Sequence, residues 1–205
     1  MPADVARGGT WRAGCCAVDS VHCVSRRTLG LTRRLRRPRS VAVLLHHTEL
    51  DALLVVRQWR PPVWAAAVAA AEAGGEGPVD EAAGFTYELC AGLLDKAGAS
   101  MEETASEEIL EECGYAVPPD RLALIGAYAS AIGISGSSQH IFFAEVDEEM
   151  KVGPAGGGGL AADGEAIEVL ALPVDRAAAF VCDPEVPKSS GLMFAAQWLL
   201  RRLNR

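Results

Sequence analysis

Short apolar runs separated by polar turns recur from residue 40 to the end of the chain. The runs 40–47 and 52–59 are rich in Val and Leu and flank a polar turn, which predicts a β-hairpin. Similar runs predict further strands at 85–91, 122–130, 137–146 and 165–172, and helical spacing predicts helices from residue 100, at about 175–182 and at 188–203. Strands that alternate with helices around one core predict an α/β layered domain.

Residues 1–39 show no periodicity that predicts a helix or a strand. The first 40 residues hold nine Arg and two acidic residues, a net charge of +7. This composition resembles a transit peptide, but a disordered basic tail or a mis-assigned start fits equally well. We therefore divide the chain into this atypical Arg-rich segment and a folded domain at 40–205. Within the domain, 60–84 is expected to be a surface loop with some helix, and 153–164 a flexible loop.

The stretch SMEETASEEILEECGY, which begins at Ser100, holds six Glu within eleven residues and no Lys or Arg. Ser100 and Glu103 have the spacing of a capping box, and Gly114 stands where a helix usually ends. A stripe of apolar residues recurs at four-residue intervals, at Met101, Ala105 and Ile109. The stretch therefore predicts a short acidic helix, which is either a solvated face or a binding site for a cation.

The charge of the remaining chain is strongly negative. Residues 41–205 carry ten basic and 25 acidic residues, a net charge of −15. Such a surface disfavours nucleic acid, because Lys and Arg contacts to phosphates supply most of that affinity. No apolar run approaches the ~18 residues that a membrane span requires. We expect a soluble protein that has neither a nucleic acid nor a membrane as its partner.

The spacing of the six cysteines predicts neither a disulfide framework nor a zinc site. They stand at Cys15, Cys16, Cys23, Cys90, Cys113 and Cys182, and no two of them form a C-x-x-C pair. A reducing compartment is the simpler interpretation. We therefore expect a cytoplasmic protein.

Three carboxylates of the predicted helix are candidates for metal binding. At 3.6 residues per turn, Glu108, Glu111 and Glu112 share one helix face. Oxygen ligands at this density favour a hard divalent cation, Mg²⁺ or Mn²⁺, over zinc, which prefers His or Cys. Mg²⁺ commonly bridges carboxylates to phosphate groups, so an acidic helix of this kind can bind an anionic substrate. A solvated acidic helix is the competing interpretation.

The stretch GLLDKAGASMEETASEEILEECGY resembles the Nudix box, whose pattern is G-x5-E-x7-R-E-U-x-E-E-x-G-U with U apolar or aromatic. Its second half, EILEECGY, matches that pattern at every specified position. The first half departs from it, because the interval from Gly92 to Gly114 is one residue longer and the early glutamate position falls near Ala99.

A further departure concerns the arginine of the pattern, which Glu107 replaces. In the family this arginine helps to orient the carboxylates by ion pairing. Lys96 and Arg121 are the candidates that could substitute for it.

The resemblance extends over residues 40–205. The segments LLVVRQWRPPV, YELCAGLLD, GISGSSQHIFF, GEAIEV and DPEVPKSSGLMFAAQWLL are similar to the branch of Nudix hydrolases that act on UDP-glucose, which is close to the ADP-ribose pyrophosphatases. This implies a Nudix-type α/β/α sandwich with a mixed sheet, a homodimer, and Mg²⁺-dependent hydrolysis of a nucleotide sugar, with UDP-glucose giving UMP and glucose 1-phosphate. An ADP-ribose pyrophosphatase and a catalytically weakened nucleotide-sugar binding domain are the alternatives.

The resemblance also implies roles for individual residues. The implied metal ligands are the carboxylates of Glu108, Glu111 and Glu112 and the carbonyl of Ala91. Arg60 stands where relatives place an arginine on the diphosphate, and a planar guanidinium suits that role. Asp163 or Glu165, on a late loop, is implied as the catalytic base.

Overall fold

The computed structural model describes residues 38–75, 77–152, 157–160 and 166–205. Arg37–Arg205 form one compact unit. The expectations for residues 1–37 and for most of the loop 153–164 fall outside the described residues. None of the described helices has the length and hydropathy that crossing a membrane requires.

Within the described residues, seven strands form one mixed sheet. They are β1 (Arg39–His47), β2 (Ala52–Trp59), β3 (Phe85–Glu88), β4 (Cys90–Leu93), β5 (Ala123–Ser130), β6 (Ser137–Val146) and β7 (Ile167–Pro173). The helices are α1 (Pro61–Gly74), α2 (Met101–Glu108), α3 (Val174–Cys182) and α4 (Ser190–Arg202). The predicted order of strands and helices is confirmed, and the differences lie at 60–93.

β1 and β2 separate to form a fork in the sheet. β1 pairs in parallel with β6 along its whole length, but it pairs with β2 only where Leu45 lies opposite Leu54 and in the residues nearest the turn. β7 covers the other edge of β2. The space between the two separating strands is filled by β3, which pairs with β2, and by β4, which pairs with β1.

The single strand predicted at 85–91 is wrong, because the chain changes partners within it. Leu89, a buried residue between β3 and β4, marks the point where the chain leaves β2 and joins β1. Hydrophobic alternation reports which face of a sheet a residue takes, and it does not report which strand lies alongside.

The stretch 60–84 contains more helix than expected. α1 occupies fourteen residues of it, and alanine, its main constituent, has the highest helix propensity. Pro61 and Pro62 occupy the first turn, where no amide donor is needed. Gly75 ends the helix with φ of 72°, a conformation that glycine adopts readily.

The sheet is packed on both faces, which confirms the predicted α/β/α sandwich. On one face, Val41 and Val43 of β1 belong to a core cluster that contains Ile109 from the end of the acidic helix. On the other face, Ala42 and Leu44 pack with apolar residues of α3 and α4. β1 is therefore buried on both sides, which explains its continuous apolar sequence.

The acidic helix begins and ends where its sequence predicts. The Glu103 N–H donates to Ser100 Oγ at 3.1 Å, and the Ser100 N–H donates to the Glu103 carboxylate at 2.8 Å, which completes the capping box. Gly114 ends the helix in the left-handed conformation with φ of 77°. The helix is not uniform, however, because α2 continues into a π-helical turn at Ile109–Cys113.

We expect Ser100→Ala to lower the free energy of unfolding by about 1 kcal/mol, because the Glu103 N–H loses its acceptor. Urea denaturation followed by circular dichroism measures this change. Ser100→Thr, which keeps a hydroxyl at the same position, is the matched control and should lose less than half as much. Equal losses in the two variants would contradict the capping role.

Candidate active site

A cleft of about 580 Å³ lies at the fork in the sheet, beside the end of the acidic helix. It gathers charged residues from β3, from the segments that follow β2 and β4, and from the helix end. They are Arg60, Glu88, Asp95, Lys96, Glu108 and Glu111. The fold therefore brings two cations and several carboxylates into one cavity, although these residues are far apart in the sequence.

Glu112 connects the π-helical turn to β4. Its side chain is buried, with 4% of the residue exposed, and its Oε2 accepts a hydrogen bond from the Ala91 N–H at 3.0 Å. The N–H and C=O of one residue point to the same side of an extended strand. The carbonyl of Ala91 therefore also faces the helix, on the side where the sequence analysis expected a metal ligand.

Glu108 lies against the backbone of β4 at Gly92. A Cβ atom on Gly92 would stand 1.7 Å from Glu108 Oε1. Only glycine leaves room for the carboxylate at this point. The glycine that opens the Nudix-like stretch therefore has a steric role in placing Glu108.

The donor atoms around this strand suit a hard divalent cation, because they are carboxylate and carbonyl oxygens. Among the described residues, however, no three Asp, Glu, His or Cys side chains lie close enough to hold a metal ion as they stand. The π-helical turn departs from the α-helical spacing assumed for the three glutamates. Glu108 and Glu111 line the cleft, whereas Glu112 is buried. Metal ligation by this set stays a prediction.

Arg60, predicted to contact a diphosphate, lines the cleft and holds Glu88. Its Nε and Nη2 donate to the two carboxylate oxygens at 2.8 and 2.9 Å, and Thr86 Oγ1 donates to Oε1 at 2.6 Å. Burial alone would raise the pKa of Glu88, but the hydrogen bonds from Arg60 and Thr86 outweigh it and lower that pKa. Glu88 was not among the predicted site residues, although an acidic residue inside the apolar run FTYELCA is a signal for it.

Glu107, the residue in place of the family's arginine, has a cationic partner. Lys96 Nζ donates to Glu107 Oε2 at 2.6 Å. The pair is about half exposed and contributes little to stability. The hydrogen bond to Glu107 and, more weakly, the charges of Glu111 and Glu108 raise the pKa of Lys96. Of the two candidate substitutes, Lys96 is therefore the one that places a positive charge beside these carboxylates.

The described part of the Gly-rich stretch docks on the π-helical turn. The Gly158 N–H donates to the Glu112 carbonyl at 2.8 Å, and the Gly159 N–H donates to the Glu111 carbonyl at 3.1 Å. Leu160, the next residue, lines the cleft. These hydrogen bonds were not predicted from the sequence. The two predicted catalytic residues on the same loop, Asp163 and Glu165, lie outside the described residues.

Cys90 and Cys113 flank the contact between Ala91 and Glu112. Both are buried and free. A hydrogen bond with the Cys113 thiol, followed by burial, raises the pKa of Cys90 well above its ordinary value. This thiol–thiol contact could not be predicted, since the two cysteines come from different elements.

No protein-family model matches the chain. The chain is 44% identical to a uridine diphosphate glucose pyrophosphatase of Bos taurus over 171 residues, which covers 78% of this chain and 76% of the relative. It is 38% identical to the Mus musculus protein of that name over 176 residues, covering 80% and 78%. A GDP-mannose pyrophosphatase of Pectobacterium atrosepticum shares 31% identity over 182 residues, covering 87% and 83%.

A crystal structure of an ADP compounds hydrolase has the same fold. It superposes with a TM-score of 0.56 at 19% identity, covering 84% of this chain and 77% of the other. The fold and the cleft thus define an α/β/α protein with a carboxylate-lined site. The identity and coverage of the curated relatives show that the chain belongs to the Nudix hydrolase family.

We expect Gly92→Ala to lower the rate of diphosphate hydrolysis by about 100-fold, because the new methyl group displaces the Glu108 carboxylate. The clashing atoms end a flexible side chain, so the melting temperature should change little. Initial rates and thermal unfolding measure the two effects. Gly133→Ala is the matched control, since a Cβ there meets nothing within 4 Å. A normal rate in Gly92→Ala would contradict the placement of Glu108.

In the folded protein at neutral pH, we expect iodoacetamide to modify Cys182, which is exposed, and to leave Cys90 and Cys113 unmodified. Burial shields both thiols from the reagent, and the raised pKa of Cys90 keeps that thiol protonated and a poor nucleophile. Peptide mass mapping after alkylation measures this difference, and alkylation in urea, where all three should react, is the control. If Cys90 were modified as fast as Cys182 in the folded protein, its burial and raised pKa would be contradicted.

Proposed function

We propose that this protein is a Mg²⁺-dependent pyrophosphatase of nucleoside diphosphate sugars, and that it cleaves UDP-glucose to UMP and glucose 1-phosphate. The observation that carries the proposal is a carboxylate-lined cleft of about 580 Å³ in a chain that is 44% identical to a curated uridine diphosphate glucose pyrophosphatase. The cleft combines the two features that the reaction requires, oxygen donors for a cation and basic groups for a diphosphate.

The proposed cation site consists of Glu108, Glu111, Glu112 and the carbonyl of Ala91, with Mn²⁺ as an alternative to Mg²⁺. When bound, such a cation offsets the charge of the diphosphate oxygens and acidifies the attacking water. The steric fit of Glu108 on Gly92 and the hydrogen bond from Ala91 to Glu112 support this assignment.

Arg60 and Lys96 are the proposed diphosphate contacts. The substrate is an anion and the domain carries a large negative charge, so cations in the cleft are needed to attract it. The bidentate contact with Glu88 orients the planar guanidinium of Arg60 in the cleft. Lys96 lies on the loop after β4, and its hydrogen bond to Glu107 orients the ammonium group.

The reaction transfers a phosphoryl-bearing group to water. Water attacks one phosphorus and gives one proton to a base while the bridging P–O bond breaks. The second proton of the water is then lost to solvent, because both monophosphate products are mainly dianions at neutral pH. Glu111, which lines the cleft, or Asp163 or Glu165 is the proposed acceptor of the proton.

We further propose a homodimer in the cytoplasm. The homodimer follows from the resemblance to the UDP-glucose branch of the family. A reducing compartment is supported by the free thiols of Cys90, Cys113 and Cys182, the cysteines that the structure describes.

A catalytically weakened binding domain is the second candidate function. It is favoured by Glu107 in place of the usual arginine and by the absence, among the described residues, of three side chains gathered closely enough to hold a metal. The contact of Lys96 with Glu107 favours the active enzyme instead. If ligand raises the melting temperature but no product forms over hours, the binding domain is the correct function.

We expect Glu112→Gln to abolish hydrolysis, because it removes a buried charge from the proposed cation site. Release of UMP and glucose 1-phosphate from UDP-glucose with Mg²⁺ measures the activity, with ADP-ribose and GDP-mannose assayed side by side. Glu185→Gln, an exposed residue outside the cleft, is the control and should keep full activity. An active Glu112→Gln protein would contradict the proposal, and a higher kcat/KM on either other substrate would change the substrate assignment.

A further inference from the structure

A smaller cavity of about 150 Å³ lies between the sheet and the N-terminus of α4. We call it the annex. Glu88, Ala91 and Gln139 line both the annex and the cleft, so the two cavities adjoin. One wall of the annex is therefore Ala91, the residue whose N–H donates to Glu112. The rest of its polar lining consists of Tyr128, Ser130, Ser189 and Ser190.

Gln139 is fixed at the junction of the two cavities. Its Oε1 accepts a hydrogen bond from the Tyr128 hydroxyl, and its Nε2 donates to Ser40 Oγ at 3.3 Å. Burial raises the pKa of the Tyr128 hydroxyl, and the neighbouring Ser190 side chain partly opposes this effect. The amide is therefore held at both ends, in a network with the Tyr128 and Ser40 hydroxyl groups.

The first turn of α4 closes the annex from the opposite side. A Cβ on Gly191 would lie 2.9 Å from the Tyr128 hydroxyl and 3.0 Å from Gln139 Oε1. Glycine at this position lets the helix approach the network closely. At this helix end the Leu192 N–H donates to Ser189 Oγ, which caps the helix, and Ser189 also lines the annex.

We propose that the annex binds the sugar ring of the nucleotide sugar and that Gln139, Tyr128 and Ser190 recognise its hydroxyl groups. The cavity has room for several water molecules and matches a single pyranose ring in size. A hydroxyl-rich ring donates and accepts hydrogen bonds in all directions, and the lining offers side chains that do the same. This assignment rests on the proposed function.

The covalent structure of the substrate indicates that the annex binds the sugar and not the nucleobase. The sugar ring is joined to the diphosphate through a single oxygen, so it must lie beside the reacting group, as the annex lies beside Ala91. The base is separated from the diphosphate by a ribose. A base also favours flat aromatic or apolar walls, whereas the annex is lined mainly by hydroxyl, amide and carboxylate groups.

Two variants test the assignment. Tyr128→Phe removes one hydroxyl and keeps the ring, and Ser190→Leu fills the annex from an exposed position beside the helix cap. Each is assayed on UDP-glucose and on UDP methyl ester, in which a methyl group replaces the glucosyl group. We expect kcat/KM for UDP-glucose to fall by about tenfold through KM, because recognition of a hydroxyl is lost. For the methyl ester it should stay within twofold.

Ser135→Ala, in the turn between β5 and β6, is the matched control and should leave both substrates unaffected. Equal losses on the two substrates in Tyr128→Phe, or no loss on either, would overturn the assignment. If the unmodified protein hydrolyses neither substrate, the proposed function fails. Calorimetric titration with the same two compounds then tests whether the annex binds the sugar ring. A preference for UDP-glucose that disappears in Tyr128→Phe supports it, and equal binding of both compounds, or binding of neither, overturns it.

Discussion

The hydrogen bond from the Ala91 N–H to the buried carboxylate of Glu112 fixes the arrangement of the site. A carboxylate removed from water requires hydrogen-bond donors, and the backbone of β4, which pairs with β1 along its other edge, supplies one. The bond holds the end of the acidic helix against β4. Glu108 rests on Gly92, the Cys90 and Cys113 thiols interact with each other, and Gly158 and Gly159 donate to carbonyls of the same turn.

The second constraint is charge. A domain with a net charge of −15 over residues 41–205 must attract an anionic substrate. The fork in the sheet places two positive charges in the cleft of this negatively charged domain. Arg60 comes from the end of β2, and Lys96 comes from the loop after β4. Each cation is oriented by a carboxylate outside the proposed cation site, Glu88 for Arg60 and Glu107 for Lys96. Beside Glu88, the annex adds hydroxyl and amide groups, the side chains that we propose recognise the sugar.

Much of the fold could be predicted from the sequence, because local signals agree with the final structure. Apolar runs placed the strands, and the Ser100 capping box and Gly114 placed the acidic helix. The change of partner at Leu89, the π-helical turn and the contact of Glu88 with Arg60 could not be predicted. Each depends on which elements lie side by side, and periodicity carries no such information. For the same reason Lys96 was only one of two candidates until the structure placed it on Glu107.

The central claim is that the helix end and β4 together hold a divalent cation. Anomalous diffraction from crystals soaked in MnCl₂ and a non-hydrolysable UDP-glucose analogue tests it most directly. We predict a manganese peak within about 2.5 Å of oxygens from Glu108 and Glu112, which requires these side chains to close on the ion beside Ala91. A protein that binds the analogue in the cleft but shows no manganese there, or shows it only elsewhere, would contradict the account.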